Sequence, residues 1–394
     1  MSAETVFQVP ATIAVGAGAS ASLGARVAAL GATRTLGATR TLLVTDPFMV
    51  SSGVAARMEA YLEDAGVATT VFSGIQPDPT DENVRDGLAA FRAADADVVV
   101  GLGGGSALDA AKMVAVASAN PGPLREYMGY HRVPNPGAPV VAVPTTAGTG
   151  SEVTRVTVIT DTESQTKMMI LDGHLVPTVA IVDPELSASM PRPLTAHVGV
   201  DTLTHGIEAY VSALANPMTD PLARSCIALV GRHLRRAWEV GDDLEARAGM
   251  AVAACHGGMA FANSSVCLVH GMSRPLGAVF HIPHGLSNAV LLPTVTAYSM
   301  AGAPARYAQA ARDLGVAGPD HADGDACARL LDALQRLNDD LEVPRLRDLL
   351  GIDVASFDAH VEKMAGDAIE SGSPGRNPVV PEAADIVDLY RRAW

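Results

Sequence analysis

Two short segments of the chain carry residues that together could bind a divalent metal ion. HVGVDTLTHGIEAY contains Asp201 and His205, and VHGMSRPLGAVFHIPHG contains His270 and His284. On a helix, a spacing of four residues places Asp201 and His205 on one face, one turn apart. One carboxylate and three imidazoles form a nitrogen and oxygen ligand set for a transition metal. The alternative is that these three of the eleven histidines lie in a core and bind nothing.

A glycine-rich segment, GLGGGSALDAAK at 101–112, has the composition of a phosphate-binding loop. It follows the apolar run ADVVV, and glycines 103 to 105 allow a backbone to approach an anion closely. A helix that begins near Ser106 would direct its free N–H groups toward a phosphate. The spacing matches neither a Rossmann fingerprint nor a P-loop. An ordinary glycine-rich turn between a strand and a helix remains the alternative.

Two further segments fit a dinucleotide. Asp46 ends the run TLLVTD, where its carboxylate could accept hydrogen bonds from an adenine ribose and repel a 2′-phosphate, favouring NAD over NADP. The alternative is that Asp46 only begins a turn before Pro47. The loop VPTTAGTGSEVT (143–154) could line a diphosphate and the nicotinamide ribose, or be a helix start capped by Thr149 or Ser151.

The elements that must position these residues differ between the two halves of the chain. Short β-branched runs alternate with helical stretches at 53–65 and 81–93, which predicts a mostly parallel sheet covered on both faces. The runs are TLLVTD (41–46), ATTVFSG (68–74), ADVVVGLGG (96–104), APVVAVPTT (138–146) and TVAIVDP (178–184). A β-hairpin is predicted at 156–171. After Met190 the periodicity is helical. We therefore expect an α/β dinucleotide-binding domain over 1–190 and an all-α metal-binding domain over 191–394.

Size and composition fit this organisation. With 394 residues, 48% hydrophobic and 18% charged, the chain can form two large cores. The net charge of −15 and the absence of Lys/Arg clusters argue against a nucleic-acid partner. The four cysteines show no CxxC spacing, and no apolar run approaches the ~20 residues that span a bilayer. We expect a soluble cytoplasmic protein without a membrane partner. A tandem duplication, GATRTLGATRTL at 31–42, predicts only a longer helix or loop.

Together these segments resemble the iron-containing (group III) alcohol dehydrogenase family. The resemblance rests on GGGSALDAAK, PTTAGTGSE, DTLTHGIEAY and HGMSRPLGAVFHIPHGLSNAVLLP, and it covers nearly the whole chain. It implies a dehydroquinate synthase-like fold with the active site in the cleft between the two domains. It also implies a bound divalent metal, Fe²⁺ with Zn²⁺ as an alternative, held by Asp201, His205, His270 and His284.

The resemblance also implies the cofactor contacts and the reaction. The residues expected to contact NAD are Asp46, Asp78, Gly103, Gly104, Gly105, Ser106, Asp109, Thr145, Thr146, Thr149 and Lys167. The metal would act as a Lewis acid on a small alcohol or aldehyde while hydride passes to or from the nicotinamide. Because family members are commonly dimers or larger, we expect a homodimer or larger homo-oligomer.

One position departs from the family pattern. Many members have a histidine four residues after the ligand that corresponds to His270, and this chain has Arg274 there. An arginine cannot shuttle a proton at neutral pH, because its pKa exceeds ~12. His281 is therefore a candidate for the proton route, with a surface histidine as the alternative. Arg274 is a candidate for binding a substrate carboxylate, as in an ω-hydroxy acid or a semialdehyde, or for pairing with a structural carboxylate.

Two other functions compete with the alcohol dehydrogenase. A lyase of the dehydroquinate synthase type shares the resemblance in fold and also holds NAD and a metal. Its sugar-phosphate substrate calls for more basic residues than these motifs offer, and NADH formation on addition of alcohol would separate the two. A non-catalytic nucleotide or metal sensor is disfavoured because it does not need an open metal near a dinucleotide.

Overall fold

A computed structural model describes residues 5–31, 40–164, 166–349, 351 and 353–394. The chain divides into two compact units, Met1–Ala188 and Ser189–Trp394. The prediction made for the GATRTL duplication concerns residues that lie largely outside the described ones, so it stays a prediction.

The described residues of the first unit form nine strands and five α-helices. The strands are β1 (Thr12–Val15), β2 (Arg40–Val44), β3 (Ala68–Phe72), β4 (Val98–Gly103), β5 (Gly129–Tyr130), β6 (Val140–Pro144), β7 (Val156–Asp161), β8 (Thr166–Leu171) and β9 (Val179–Val182). The helices are α1 (Leu23–Gly31), α2 (Pro47–Ser51), α3 (Val54–Asp64), α4 (Asp81–Ala93) and α5 (Gly105–Ala117). All five predicted strand runs form strands, and β7 and β8 form the predicted antiparallel hairpin.

Six strands form one parallel sheet in the order β1-β9-β6-β4-β2-β3. After β2 the chain moves outward to β3, and it then returns to place β4 on the other side of β2. The carboxyl ends of β2 and β4 therefore meet at a topological switch point, where open α/β sheets bind ligands. Asp46 follows β2, and the glycine-rich loop follows β4.

Alternating side chains of β2 show why both faces of this sheet are covered. Leu42 and Val44 pack in one core cluster with residues of α4 and α5. Leu43 packs in a second cluster with residues of α1 and α3. Since successive strand residues point to opposite faces, two separate cores form from one apolar run.

The second unit is helical throughout its described residues, as predicted. Its helices are α6 (Arg192–Val211), α7 (Asp220–Glu239), α8 (Leu244–Asn263), α9 (Leu268–Phe280), α10 (His284–Ser299), α11 (Pro304–Asp313), α12 (Asp323–Asp340), α13 (Val354–Glu370) and α14 (Ala383–Ala393). The predicted α/β and all-α halves are thus both confirmed. Helix α6 is buried on nearly all sides and packs against α7, α8 and α10. Polar side chains on α6 therefore need partners inside the protein.

Within the described ranges, no single helix combines the length and apolar composition needed to cross a membrane. Only α8 and α9 taken together meet that test, and the pair is bent by 101° between the two helices.

Candidate metal centre and dinucleotide loops

Helix α6 presents the first two predicted metal ligands inside the second unit. Asp201 and His205 lie one turn apart, with 1% and 4% of their surface exposed. The Asp201 Oδ1 to His205 Nε2 distance is 3.9 Å. Glu208, three residues after His205 and 3% exposed, follows on the same helix. One buried helix thus carries two carboxylates and one imidazole toward the same region.

Helix α9 brings His270 to this group. Its N-terminus has no cap from its own N-cap residue, Cys267. Glu208 provides the acceptor instead, taking hydrogen bonds from the backbone N–H of Cys267 (2.9 Å) and of Val269 (2.6 Å). The same carboxylate lies 2.6 Å from His270 Nδ1. A carboxylate that serves two backbone N–H donors acts as an acceptor, so Nδ1 donates to it, and Nε2 of the neutral ring keeps its lone pair.

Helix α10 begins with His284 and carries Asn288 one turn later. Asn288 is fully buried, and its Nδ2 lies 2.6 Å from Asp201 Oδ1, 3.1 Å from His270 Nε2 and 3.2 Å from His284 Nε2. Its Oδ1 is buried without a hydrogen-bond partner among the described residues. Asn288 therefore orients Asp201 and leaves an acceptor beside the ligand group.

Three of the four predicted ligands, Asp201, His270 and His284, have donor atoms close enough to share one metal ion. Asp201 Oδ1 lies 3.5 Å from His270 Nε2 and 3.9 Å from His284 Nε2. His205 Nε2 lies 3.0 Å from His270 Nε2. In a tetrahedral site with bonds of ~2.1 Å, neighbouring donors are about 3.4 Å apart. The donors of Asp201, His270 and His284 all lie within 4.8 Å of one another. His205 is outside this group of three, but its Nε2 lies close to Asp201 Oδ1 and His270 Nε2.

The pKa shifts of Asp201 and His284 favour metal binding, whereas that of His270 opposes it. Burial favours the neutral acid at Asp201, but the three ligand imidazoles outweigh it and hold the pKa of Asp201 far below its usual value. Removal from bulk water and nearby positive charges, opposed by Asp201, lower the pKa of His284 to about 3, although 39% of its side chain is exposed. Burial disfavours the charged form of His270, but Glu208 and Asp201 outweigh it and raise the His270 pKa. A metal at His270 therefore competes with a proton.

Of the two candidate catalytic residues, Arg274 lies in the middle of α9 and His281 lies at its C-terminal end. Arg274, one turn after His270, donates from Nη1 to Ser373 Oγ at 3.0 Å, and its charge contributes to the lowered pKa of His284. His281 is exposed and ends α9 in the left-handed conformation, with φ of 55°. Arg274 is thus the candidate whose charge reaches a metal ligand.

In the first unit, the glycine-rich loop has the geometry of an anion site. Gly103 has φ of 142°, a conformation that side chains disfavour. Helix α5 begins at Gly105 with no side-chain cap, so its first N–H groups are free for an anion. A Cβ on Gly105 would lie 2.8 Å from Thr149 Cγ2, and one on Gly104 would lie 3.4 Å from Thr146 Cγ2. A side chain at Gly105 would therefore force Thr149 to move, whereas a Cβ at Gly104 would make an ordinary contact.

The predicted threonine loop is thereby placed beside the glycine-rich loop. Thr145 N–H donates to the Gly103 carbonyl at 3.0 Å, because β6 pairs with β4 up to Pro144. Thr149 Oγ1 also accepts from Ser151 N–H at 3.3 Å, ahead of a short 3₁₀ turn. Ser106 is the second residue of α5. The loops 103–106 and 145–149 therefore lie side by side after the paired strands β4 and β6.

Asp46 caps a helix, which was the alternative to cofactor binding, and its contact with a ribose stays a prediction. Its Oδ1 accepts from the N–H groups of Phe48 and Met49 and so caps α2, as a turn-starting aspartate would. Its Oδ2 lies 3.1 Å from where a Cβ on Gly103 would stand. The carboxylate is therefore adjacent to the glycine-rich loop as well as being a helix cap.

The remaining predicted cofactor residues hold partners of their own. Lys167 Nζ lies 2.7 Å from Asp78 Oδ1, so two candidates from distant segments form an ion pair. Asp109 accepts from Ser151 Oγ at 2.5 Å and from the Val158 N–H at 2.8 Å. Asp109 thus anchors the threonine loop and β7, a structural role that sequence reasoning did not anticipate.

Sequence reasoning also missed Glu208 and Asn288. Glu208 is three residues from His205 and seven from Asp201, and Asn288 is four residues from His284. The same helical spacing that selected the ligands places these two residues on the ligand-bearing faces. Extending that pattern by one turn would have placed both residues on these faces, although their hydrogen-bond partners depend on tertiary packing.

A parallel sheet with a glycine-rich loop at its switch point, and a helical unit with a carboxylate and imidazole cluster, define a metal- and dinucleotide-dependent class of enzyme. Residues 10–184 match the family described as iron-containing alcohol dehydrogenase, and residues 195–394 match the C-terminal region of the Fe-containing alcohol dehydrogenase family. The chain therefore belongs to the iron-containing alcohol dehydrogenase family.

Individual relatives agree with this assignment. The chain is 40% identical to the 1,3-propanediol dehydrogenase of Klebsiella pneumoniae over 88% of each chain. It is 36% identical to the NAD-dependent methanol dehydrogenase of Bacillus methanolicus over 99% of this chain and 100% of the relative. A crystal structure of a 1,3-propanediol oxidoreductase superposes with a TM-score of 0.94 at 38% identity, covering both chains completely. Such relatives support an alcohol oxidoreductase over the lyase alternative.

Proposed function

We propose that this protein is an NAD(H)-linked alcohol dehydrogenase and aldehyde reductase that uses Fe²⁺, with Zn²⁺ as an alternative, on a small primary alcohol. The observation that carries the proposal is the group of Asp201, His270 and His284, whose donor atoms lie close enough to share one ion, with His205 next to Asp201 and His270. When bound, the ion supplies Lewis acidity toward an alcohol or aldehyde oxygen, and the dinucleotide supplies the hydride acceptor or donor.

The residues of the second unit hold the ion and leave room for a substrate. Asp201 contributes a negative charge, and the three histidines contribute neutral nitrogen donors. His284 is the most exposed of the four, so the open coordination position is expected on its side. Asn288 fixes Asp201 by its 2.6 Å hydrogen bond.

The residues of the first unit bind the dinucleotide. The free N–H groups of α5 and the loop 103–106 receive the diphosphate, with Thr145, Thr146 and Thr149 alongside. Asp46 accepts from the adenine ribose and disfavours a 2′-phosphate, which selects NAD. The printed name of the methanol dehydrogenase relative, which includes NAD, agrees with this preference. Asp78 and Lys167, which form an ion pair with each other, are proposed as further cofactor contacts.

The proton that leaves the alcohol needs a route other than Arg274. We assign this route to His281, whose side chain is exposed to solvent. Arg274 takes the role of orienting a substrate anion, because the residue is partly exposed and its charge contributes to the lowered pKa of His284. The substrate class would then be an ω-hydroxy acid or a semialdehyde.

A substrate panel tests the role of Arg274. We expect Arg274→Ala to lower kcat/KM for 4-hydroxybutyrate by about 10- to 100-fold, since a charge-assisted pair contributes ~1.5–3 kcal/mol. The value for 1-butanol should change little. An unchanged ratio of the two values would contradict a substrate-binding role for Arg274.

The cellular setting is part of the proposal. We propose a soluble cytoplasmic enzyme that acts as a homodimer or larger homo-oligomer, with neither nucleic acid nor membrane as a partner. The acidic balance supports solubility, and the four buried thiols suit a reducing compartment. Light scattering at several concentrations measures the oligomeric state.

The function itself is tested by an alcohol screen. Purified protein is stripped with a chelator, reloaded with Fe²⁺ or Zn²⁺, and supplied with NAD and a series of alcohols while NADH is followed. We expect NADH to accumulate only with metal and alcohol present. A metal-loaded chain that binds NAD but forms no NADH with any alcohol would contradict the proposal and favour the lyase, which consumes no net NAD.

A further inference from the structure

Glu208 lies beside the proposed metal centre without belonging to the ligand set. Its carboxylate is 3% exposed, and all of its hydrogen-bond contacts in the site come from the N-terminal turn of α9. We infer that Glu208 is a positioning residue, which holds the His270 imidazole with Nε2 toward the metal and neutralises the charge of the buried centre. This inference rests on the proposed function.

The first argument is the tautomer of His270. Glu208 Oε2 lies 2.6 Å from Nδ1, and the backbone N–H of Cys267 reaches the same oxygen. With both donors on one oxygen, the imidazole must carry its proton on Nδ1. Only then does Nε2, 3.5 Å from Asp201 Oδ1, offer a lone pair to a metal. Metal-ligating histidines commonly depend on such a carboxylate.

The second argument is the position of the His270 backbone. Glu208 Oε1 accepts from the N–H of Val269, the residue before His270. The carboxylate therefore fixes both the first turn of α9 and the ring that projects from it. A negative charge at a helix N-terminus is also favourable for the helix dipole.

The third argument is charge. Asp201 is the only carboxylate in the ligand set, so a divalent ion would leave one positive charge in a region where Asp201, His205 and His270 are nearly inaccessible. Isolated buried charge is strongly unfavourable. When the Glu208 carboxylate is included, the formal charges of the divalent ion, Asp201 and Glu208 add up to zero.

Glu208→Gln tests this inference. The substitution keeps the size of the side chain but removes its charge. The NH₂ group of the glutamine must then face one of the N–H donors that Glu208 accepts from. We expect the dissociation constant for Co²⁺, measured by chelator competition, to rise about 10- to 100-fold. The visible absorption bands of the Co²⁺ protein should shift, because the His270 donor is displaced. Co²⁺ binding within twofold of wild type, with unchanged bands, would overturn the inference.

A matched control separates metal positioning from helix capping. Asp243 caps α8 by accepting from the Ala246 N–H, and it belongs to the same unit. Asp243→Asn should lower stability of the metal-free protein slightly and leave Co²⁺ affinity and bands unchanged. In a double-mutant cycle, Glu208→Gln should add little to the affinity loss of His270→Ala, since Glu208 acts through that ring. Independent, additive losses would contradict this.

A measurement on wild type covers the case in which Glu208→Gln does not fold. Protein labelled with ¹⁵N-histidine, metal-free and above pH 8, should show His270 as the Nδ1–H tautomer, with its signal identified by loss in His270→Ala. An Nε2–H tautomer would overturn the inference. Wild type that fails to bind Co²⁺ would overturn the proposed function as well, so the two failures are distinguishable.

Discussion

Gly103→Ala perturbs the point where the glycine-rich loop and Asp46 meet. Gly103 has φ of 142°, and an added Cβ would lie 2.8 Å from Ala107 Cβ and 3.1 Å from Asp46 Oδ2. Forcing an alanine into such a conformation costs about 1–3 kcal/mol. Crowding Ala107 adds about 1–3 kcal/mol. We therefore expect a loss of roughly 2–6 kcal/mol in the unfolding free energy of the first unit.

Gly16→Ala is the matched control for this substitution. Gly16 has φ of 148°, but an added Cβ would meet nothing within 4 Å. The control therefore carries the conformational cost without the contact cost. Gly103→Ala should be less stable than Gly16→Ala by about 1–3 kcal/mol. Only Gly103→Ala should weaken NADH binding, by about 10- to 100-fold, since displacing Asp46 loses a charged hydrogen bond of ~1.5–3 kcal/mol.

Two assays read the outcome. Urea unfolding should be followed by circular dichroism, because both tryptophans, Trp238 and Trp394, lie in the second unit and do not report on the first. NADH binding is followed by the fluorescence of the dinucleotide. If Gly103→Ala matches Gly16→Ala in stability and binds NADH as wild type does, the assignment of this loop is wrong.

Three further predictions concern single residues. Burial raises the pKa of Glu152 from 4.5 to about 7, so between these pH values the unfolded chain releases a proton that the folded chain keeps. Stability should fall by about 3 kcal/mol as pH rises through this window, and Glu152→Gln should remove that fall in urea unfolding curves. Asn288→Ala should weaken Zn²⁺ binding about tenfold in chelator competition by releasing Asp201, whereas Asn338→Ala, which removes a buried bond to the Ala289 carbonyl, should not. Asp46→Asn keeps the α2 cap but loses the charge, so kcat/KM for NADP should rise relative to NAD; an unchanged ratio would remove Asp46 from cofactor selection.

The strands and the ligand-bearing helices could be predicted because their signals are local. Runs such as TLLVTD contain enough β-branched residues to favour a strand. The four-residue separation of Asp201 and His205 places both on one helix face. The fold class followed from how such elements alternate.

The contacts between distant segments could not be predicted. Lys167 and Asp78 are 89 residues apart, and their ion pair depends on how β8 lies beside the segment before α4. The hydrogen bond from Arg274 to Ser373 spans 99 residues. Glu208 looked like one more polar residue on a helix until α9 placed three donors around it. Such partners depend on tertiary packing, which no local pattern encodes.

The most direct test of the central claim measures NADH formation from a primary alcohol against the number of Fe²⁺ ions bound per chain. The four-residue cluster predicts no turnover in the metal-free protein and a linear rise that ends at one ion per chain. His270→Ala should abolish both the tight binding and the turnover while leaving NADH binding intact. Equal turnover by the metal-free chain, or full activity of His270→Ala, would contradict the account.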